Sequence, residues 1–234
     1  MNLPLSKRLQ ACCSFISPGD RVADIGCDHG YLSIHLLQEG LASSVIAADI
    51  NEMPLQSAMR NAEKFGVQNK INFYLSDGVK NIPRDFDTLV CAGMGADTMI
   101  SILDAAFWLR TQHYRLVLQC QSKTPMLRQY LSQNGWHIAE ETVLRDGRFL
   151  YTVMMVKWQP ESPRLTLGQY YFPPALLKKP TKELPEYYQN ILFRLRRAIS
   201  GQGECADPVL LEVLAELEND PKLIRFKETN NGNC

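Results

Sequence analysis

The chain has 234 residues, 45% of them hydrophobic, and its 25 Lys and Arg balance 25 Asp and Glu, enough for one main domain with its own core plus an appendage. A neutral total leaves nucleic acid open as a partner, because the distribution of charge outweighs its sum. The seven cysteines, at 12, 13, 27, 91, 120, 205 and 234, are odd in number and form no C-x-x-C pair, which argues against a disulfide framework or a metal site. No apolar run reaches the ~18 to 20 residues of a membrane span and no signal core opens the chain, so a soluble, cytoplasmic protein is expected.

Leu5, Leu9, Cys12, Cys13 and Ile16 recur at helical spacing behind Ser6, and Pro18-Gly19-Asp20 closes that helix. Residues 22–25 form a short apolar run with one acid, Asp24; Gly26 and Gly30 bracket a tight turn, and 31–37 resume helical spacing. The pattern repeats with a strand at 44–48 ending in Asp49 and a helix at 54–65 stopped by Gly66. A strand at 71–75 precedes Ser76-Asp77-Gly78, and a strand at 88–92 precedes Gly93-Met94-Gly95-Ala96 and a helix from about Asp97. Then come a strand at 115–119, a helix at 125–133, and two strands, 136–144 and 149–158, around Asp146-Gly147. Such alternation predicts an α/β, Rossmann-like fold: a seven-stranded, mostly parallel sheet with one antiparallel strand.

Prolines at 160, 163, 173, 174 and 180 break the pattern, so residues 1–158 read as the main domain and 159–180 as a linker. Residues 181–228 read as a helical hairpin of coiled-coil character. Leu184, Tyr188, Ile191, Leu195 and Ala198 or Ile199 form one stripe, and Asp207-Pro208 starts the return helix over 209–217. The tail 229–234 is expected to fray.

In open parallel sheets ligands sit outside the carboxyl ends of the strands, where the order reverses. Chain order puts Asp24, Gly26, Asp28 and Gly30 at the first such end, Asp49 and Ile50 at the second, Asp77 and Gly78 at the third, and Gly93, Met94 and Gly95 at the fourth. Glycine lets backbone approach a ligand, and free amides at a helix start supply donors. A carboxylate at Asp24 would repel a pyrophosphate yet suits the ammonium of an amino-acid moiety, as in S-adenosylmethionine (SAM). Asp49 suits a ribose diol, Asp77 an adenine amine, and Gly78 leaves room for the ring. The Gly26–Gly30 spacing departs from the dinucleotide fingerprint G-x-G-x-x-G. Blander readings stand beside these. Asp24 and Asp49 can cap strand ends, Asp77-Gly78 can be only a turn, and His29 is a ligand contact, a general base or a solvent-facing residue. Tyr31 and Met94 either flank the cofactor or fill core, while Cys27, Cys91 and Cys120 read as packing residues.

Taken together, Asp-Ile-Gly-Cys-Asp-His-Gly-Tyr (24–31), Ala-Ala-Asp (47–49), Ser-Asp-Gly (76–78), Ala-Gly-Met-Gly (92–95) and Asn-Gly-Trp (134–136) resemble the bacterial tRNA (adenine-22 N1)-methyltransferases, the TrmK family. The resemblance runs through about residues 3–158 and more loosely beyond. It implies a class I SAM-dependent methyltransferase with a C-terminal helical hairpin, SAM as cofactor and tRNA as substrate. By that match the cofactor residues are Asp24, Gly26, Asp28, His29, Asp49, Asp77 and the 93–95 loop. Two departures are visible: the family's Gln-Pro-Asn after the fifth strand stands as Gln119-Cys120-Gln121, and Ala96 replaces the last glycine of Ala-Gly-Met-Gly-Gly.

Enzymes that methylate exocyclic amines commonly carry Asn-Pro-Pro-Tyr after the fourth strand, which Ala92-Gly93-Met94-Gly95 cannot copy, so a ring nitrogen is the easier target. N1 of adenine already has a lone pair and needs positioning more than deprotonation. The base gains positive charge, which a carboxylate favours, and Asp28 is the first candidate for that catalytic role. Lys178, Lys179, Lys182, Arg194, Arg196 and Arg197 against Glu183 and Glu186 leave a local excess of four positive charges, read as a tRNA grip or as a solvated helix face. Lys7, Arg8, Arg145 and Arg148 are secondary candidates. A monomer or weak dimer is expected. Competing readings are methylation of another RNA or a small molecule, and a nonenzymatic RNA-binding protein.

Overall fold

The computed structural model describes residue 3 and residues 5–226. Its seven strands are β1 (Asp20–Ile25), β2 (Ala42–Asp49), β3 (Ile71–Leu75), β4 (Thr88–Met94), β5 (Arg115–Cys120), β6 (Trp136–Asp146) and β7 (Phe149–Trp158). They form one sheet in the order β3-β2-β1-β4-β5-β7-β6. β1 to β5 pair in parallel, and β7 runs antiparallel to both β5 and β6. The order reverses between the neighbours β1 and β4, which opens a crevice at their carboxyl ends.

Side chains alternate across a strand, and both faces here are covered, so the central strands are apolar almost throughout. On one face Val22, Val45, Val90 and Val117 meet α1 (Lys7–Cys13), α2 (Tyr31–Gln38) and α3 (Glu52–Lys64). On the other, Ala23, Ile25, Leu89 and Leu116 meet α4 (Ala96–Asp104) and α5 (Thr124–Gln133). Asp24 interrupts the first set, so β1 carries a carboxylate on a face that is otherwise hydrocarbon. Two strand boundaries extend beyond the periodicity. β1 starts at Asp20 because that buried carboxylate pairs with Arg115 and accepts from Thr88 Oγ1 at 2.8 Å. β4 continues through Gly93, whose φ of +82° shifts the register between Ala92 and Met94.

The stretch 159–180, read as a linker, contains α6 (Leu167–Tyr171) and a 3-10 turn at Pro174–Leu177. Arg128 of α5, fully buried, donates to the carbonyls of Tyr170 (3.1 Å) and Tyr171 (2.7 Å), to Glu141 of β6 (2.6 Å) and to the hydroxyl of Tyr187 (3.1 Å). That one guanidinium ties this stretch and α7 (Leu184–Gln202) to the sheet. A third apolar core forms there from Val143, Phe172, Leu176, Tyr188, Val213 and Leu217. α8 (Pro208–Asn219) returns along α7, capped by Asp207, which accepts from Val209 N at 2.9 Å. The buried stripe of α7 uses Leu192, while Ile191 is only partly buried and lines a cavity. The tail 229–234 lies outside the described residues. No helix among the described residues is long and apolar enough to cross a membrane.

Candidate active site

A cleft of ≈ 420 Å³ opens at the carboxyl ends of the strands flanking the switch point. Asp24, at the end of β1, is 3% exposed and accepts from Ser33 Oγ of α2 at 2.7 Å. It has no cationic partner among the described residues, and burial pushes its carboxyl up to about 6. A carboxylate held this dry, with only the hydroxyl and backbone amide of Ser33 as donors, has lone pairs to spare, and an incoming ammonium would supply both charge and donors. Asp49 is buried at the end of β2 and accepts from Asn51 N (2.9 Å) and Asp28 N (3.1 Å). Each oxygen is thereby fixed by one backbone amide and keeps capacity for a hydroxyl, which suits a vicinal diol. Ile50 beside it stands 61% exposed, an apolar wall for a flat ring.

The turns are built from glycine where a side chain could not fit. At Gly26, φ is +73° and an added Cβ would lie 2.3 Å from Met94 Cε, so the bare backbone lets Met94 reach across the cleft. At Gly93 the amide donates to Gln119 Oε1 at 3.1 Å, and Arg8 Nη1 donates to the same oxygen at 3.1 Å. Arg8, Gln119 and Gly93 thus form one hydrogen-bonded unit at the mouth of the cleft.

Asp24, Gly26, Asp28, His29 and Tyr31 from the first strand end line this cleft, joined by Asp49 and Ile50 from the second. Asp77, Gly78, Gly93 and Met94 complete the set. Gly30 and Gly95 do not line it. Gly30 sits where α2 passes α3, an added Cβ falling 2.9 Å from Ala58 Cβ, and Gly95 caps α4 against Ser122. Both serve packing at helix starts. Asp77 is exposed and ion-paired with Lys80, so an adenine amine would compete with that ammonium. Asp28 lies on the rim in a left-handed conformation, φ +50°, its carboxylate 3.6 Å from His29 Nε2. Arg8, a secondary cationic candidate from the sequence, lines the cleft itself, and Gln119, a polar residue ending an apolar strand, lies buried behind Gly93. Among the described residues no group of three or more His, Cys, Asp or Glu is placed to hold a metal ion.

The six cations of 178–197 have different local partners. Lys178 donates to the Ala139 carbonyl and Lys179 pairs with Glu140, both beside β6. Lys182 faces a shallow groove with Lys7 and Arg145. Arg196 pairs with Glu218 of α8, Arg197 is exposed, and Arg194 turns toward a second cavity. On α7, Arg194 and Arg197 are three residues apart and lie on one side, while Arg196 between them turns to α8.

The sheet is ordered around a β1/β4 switch point, with an acid lacking a cationic partner among the described residues at one strand end and a backbone-held acid at the next, and the Methyltransferase domain family matches residues 5–154, so this is a methyltransferase domain. MG248 of Mycoplasma genitalium is 32% identical over 177 residues, 73% of this chain and 78% of that protein. The tRNA (adenine(22)-N(1))-methyltransferase of Bacillus subtilis is 33% identical over 156 residues, 66% of each chain. The crystal structure of B. subtilis TrmK superposes with a TM-score of 0.77 at 28% identity, covering 97% of this chain and 99% of that one. Streptococcus pneumoniae Sp1610 in complex with S-adenosyl-L-methionine gives 0.79 at 27% identity, covering 95% and 99%. The chain belongs to the TrmK family of class I methyltransferases.

Proposed function

We propose that this chain transfers a methyl group from SAM to N1 of adenine 22 in tRNA. The observation that carries the reading is Asp24, a buried carboxylate without a counter-ion, set beside a diol-sized acceptor at Asp49 and the open glycine at position 93. SAM supplies an electrophilic methyl on a sulfonium, which needs no base to activate it. Asp24 would hold the ammonium, Asp49 the ribose hydroxyls, and Ile50 with Gly78 the adenine ring. Asp77 reaches the exocyclic amine once it parts from Lys80.

The rest of the task is to present a ring nitrogen. Gln119 holds Gly93 in place, and the absence of a side chain there lets the Arg8 guanidinium lie against the exposed backbone where a base edge would arrive. Arg8 and Gln121 flank that opening, the guanidinium 2.9 Å and the amide nitrogen 3.7 Å from where a Gly93 Cβ would stand. N1 lies on the pairing edge, so the target adenine must be unpaired or extruded. Asp28, on the rim, offsets the positive charge that the base acquires. The chain acts as a monomer or weak dimer in the cytoplasm; the free thiols of Cys12, Cys13, Cys27, Cys91 and Cys120, all buried, support a reducing compartment.

The test is incubation of the protein with unmodified tRNA and methyl-labelled SAM, followed by mapping of the label. Incorporation at N1 of adenine 22 is the expected result. Label on another base, or only on small molecules, refutes the assignment.

A further inference from the structure

A cavity that the transfer does not use lies behind the 120–125 segment, ≈ 460 Å³ between that segment, the β6–β7 turn and α7. Its volume falls in the range that seats small ligands. Gln121 belongs to its wall, yet the same residue's amide donates to Met94 O at 2.8 Å and its side chain approaches Gly93. The cavity therefore adjoins the mouth of the cofactor cleft, one side chain away. Its lining is aromatic and cationic. Phe149 at the β6–β7 turn is 50% exposed, with the Arg148 guanidinium 4.9 Å over its ring and Tyr151 close by. Tyr187 and Arg194 face them from α7.

Two guanidinium groups of the lining lack a carboxylate partner among the described residues, Arg148 resting on the Phe149 ring. Glu186, the acid of the lining, pairs with Arg145, and Lys123 pairs with Asp97. Arg148 and Arg194 have no ion-pair partner among the described residues. An exposed ring for stacking beside arginines without a carboxylate partner is the chemistry that holds a splayed-out nucleotide, since every base has a π face and every phosphate a charge. The target adenine must reach Gly93 on the far side of Gln121, so the occupant of this cavity is a different nucleotide.

We propose that this cavity seats an unpaired nucleotide adjoining adenine 22, its base stacked on Phe149 and its phosphate held by Arg148 and Arg194. The seat rests on the function proposed above. It fixes the strand on one side of the target and so sets the approach of N1 to the cleft.

The experiment uses the full chain and unmodified tRNA. Phe149→Ala and Arg194→Gln each raise the KM for tRNA, by roughly 5- to 150-fold if one stacked base is lost, while the Kd for SAM stays at the wild-type value. Phe149→Trp, which restores the ring, keeps the KM near wild type. With a benzophenone amino acid at position 149, ultraviolet cross-links map to the nucleotide next to adenine 22. Wild-type KM values in both variants, or cross-links confined to a distant arm of the tRNA, overturn the seat while leaving methylation intact. Failure of the wild-type protein to methylate tRNA overturns the function and the seat together.

Discussion

Asp24→Asn exchanges one oxygen for an amide nitrogen and deletes a charge from a site 3% exposed to solvent. Burial pushes the carboxyl from 3.8 up to about 6, opposed chiefly by the hydrogen bond from Ser33. A rise of roughly two pKa units, at about 1.36 kcal/mol each, means that keeping this group ionised costs the ligand-free fold on the order of 3 kcal/mol. The sign follows from proton counting. Between 3.8 and about 6 the folded protein binds the proton that the unfolded chain has released, so the penalty is absent below the lower value, grows between the two and is complete above the higher. Asparagine keeps the acceptor for Ser33 and removes the penalty. At roughly 2–4 °C per kcal/mol for a chain of this size, the ligand-free variant should melt several degrees above wild type near neutral pH and match it near pH 4. SAM should show the opposite preference, its ammonium losing a buried counter-charge worth ~2–5 kcal/mol, so its Kd should rise by a factor of at least about 30. Thermal scans across that pH range with and without SAM, together with calorimetric titration, measure both effects. A variant no more stable than wild type at neutral pH, or one that binds SAM equally well, refutes the account of Asp24.

Four further outcomes follow from the same geometry. Wild-type affinity for SAM should weaken about tenfold for each pH unit below 6, where Asp24 must shed a proton before it can pair, and calorimetry at pH 5 and pH 7 reads this. Glu141→Gln leaves Arg128 buried without its counter-ion and should cost ~3–5 kcal/mol in urea unfolding, whereas Arg128→Met combined with Glu141→Leu should cost less than the single change. Gly26→Ala puts a Cβ 2.3 Å from Met94 Cε at a φ of +73° and should abolish SAM binding; Met94→Ala added to it relieves the contact but not the backbone strain, restoring binding only in part. Asp28→Asn should lower turnover at unchanged SAM affinity, and equal turnover would remove Asp28 from the reaction.

What could be read from the order of residues was whatever depends on a few neighbours. Two-residue and helical periods located every strand and every long helix, and chain order then delivered Asp24, Asp49, Asp77 and Gly93 to consecutive strand ends. Asp207 with Pro208 declared a helix start for the same reason, since a cap is made within one turn. Contacts between distant segments were not legible. Arg8 meets Gln119 across 111 residues of chain only because α1 packs beside the ends of β4 and β5. Gly30 and Gly95 look like ligand glycines in sequence, yet the neighbour each must clear is Ala58 or Ser122. The carbonyls of Tyr170 and Tyr171 in the proline-rich stretch are held by Arg128, and the individual ion pairs of Lys179 with Glu140 and Arg196 with Glu218 come from partners distant in the chain. Local backbone preference settles which elements form, because its energy is spent within a turn or a strand pair; which side chains share a cavity is decided by packing, where one apolar face chooses its partner over all others in the folded chain.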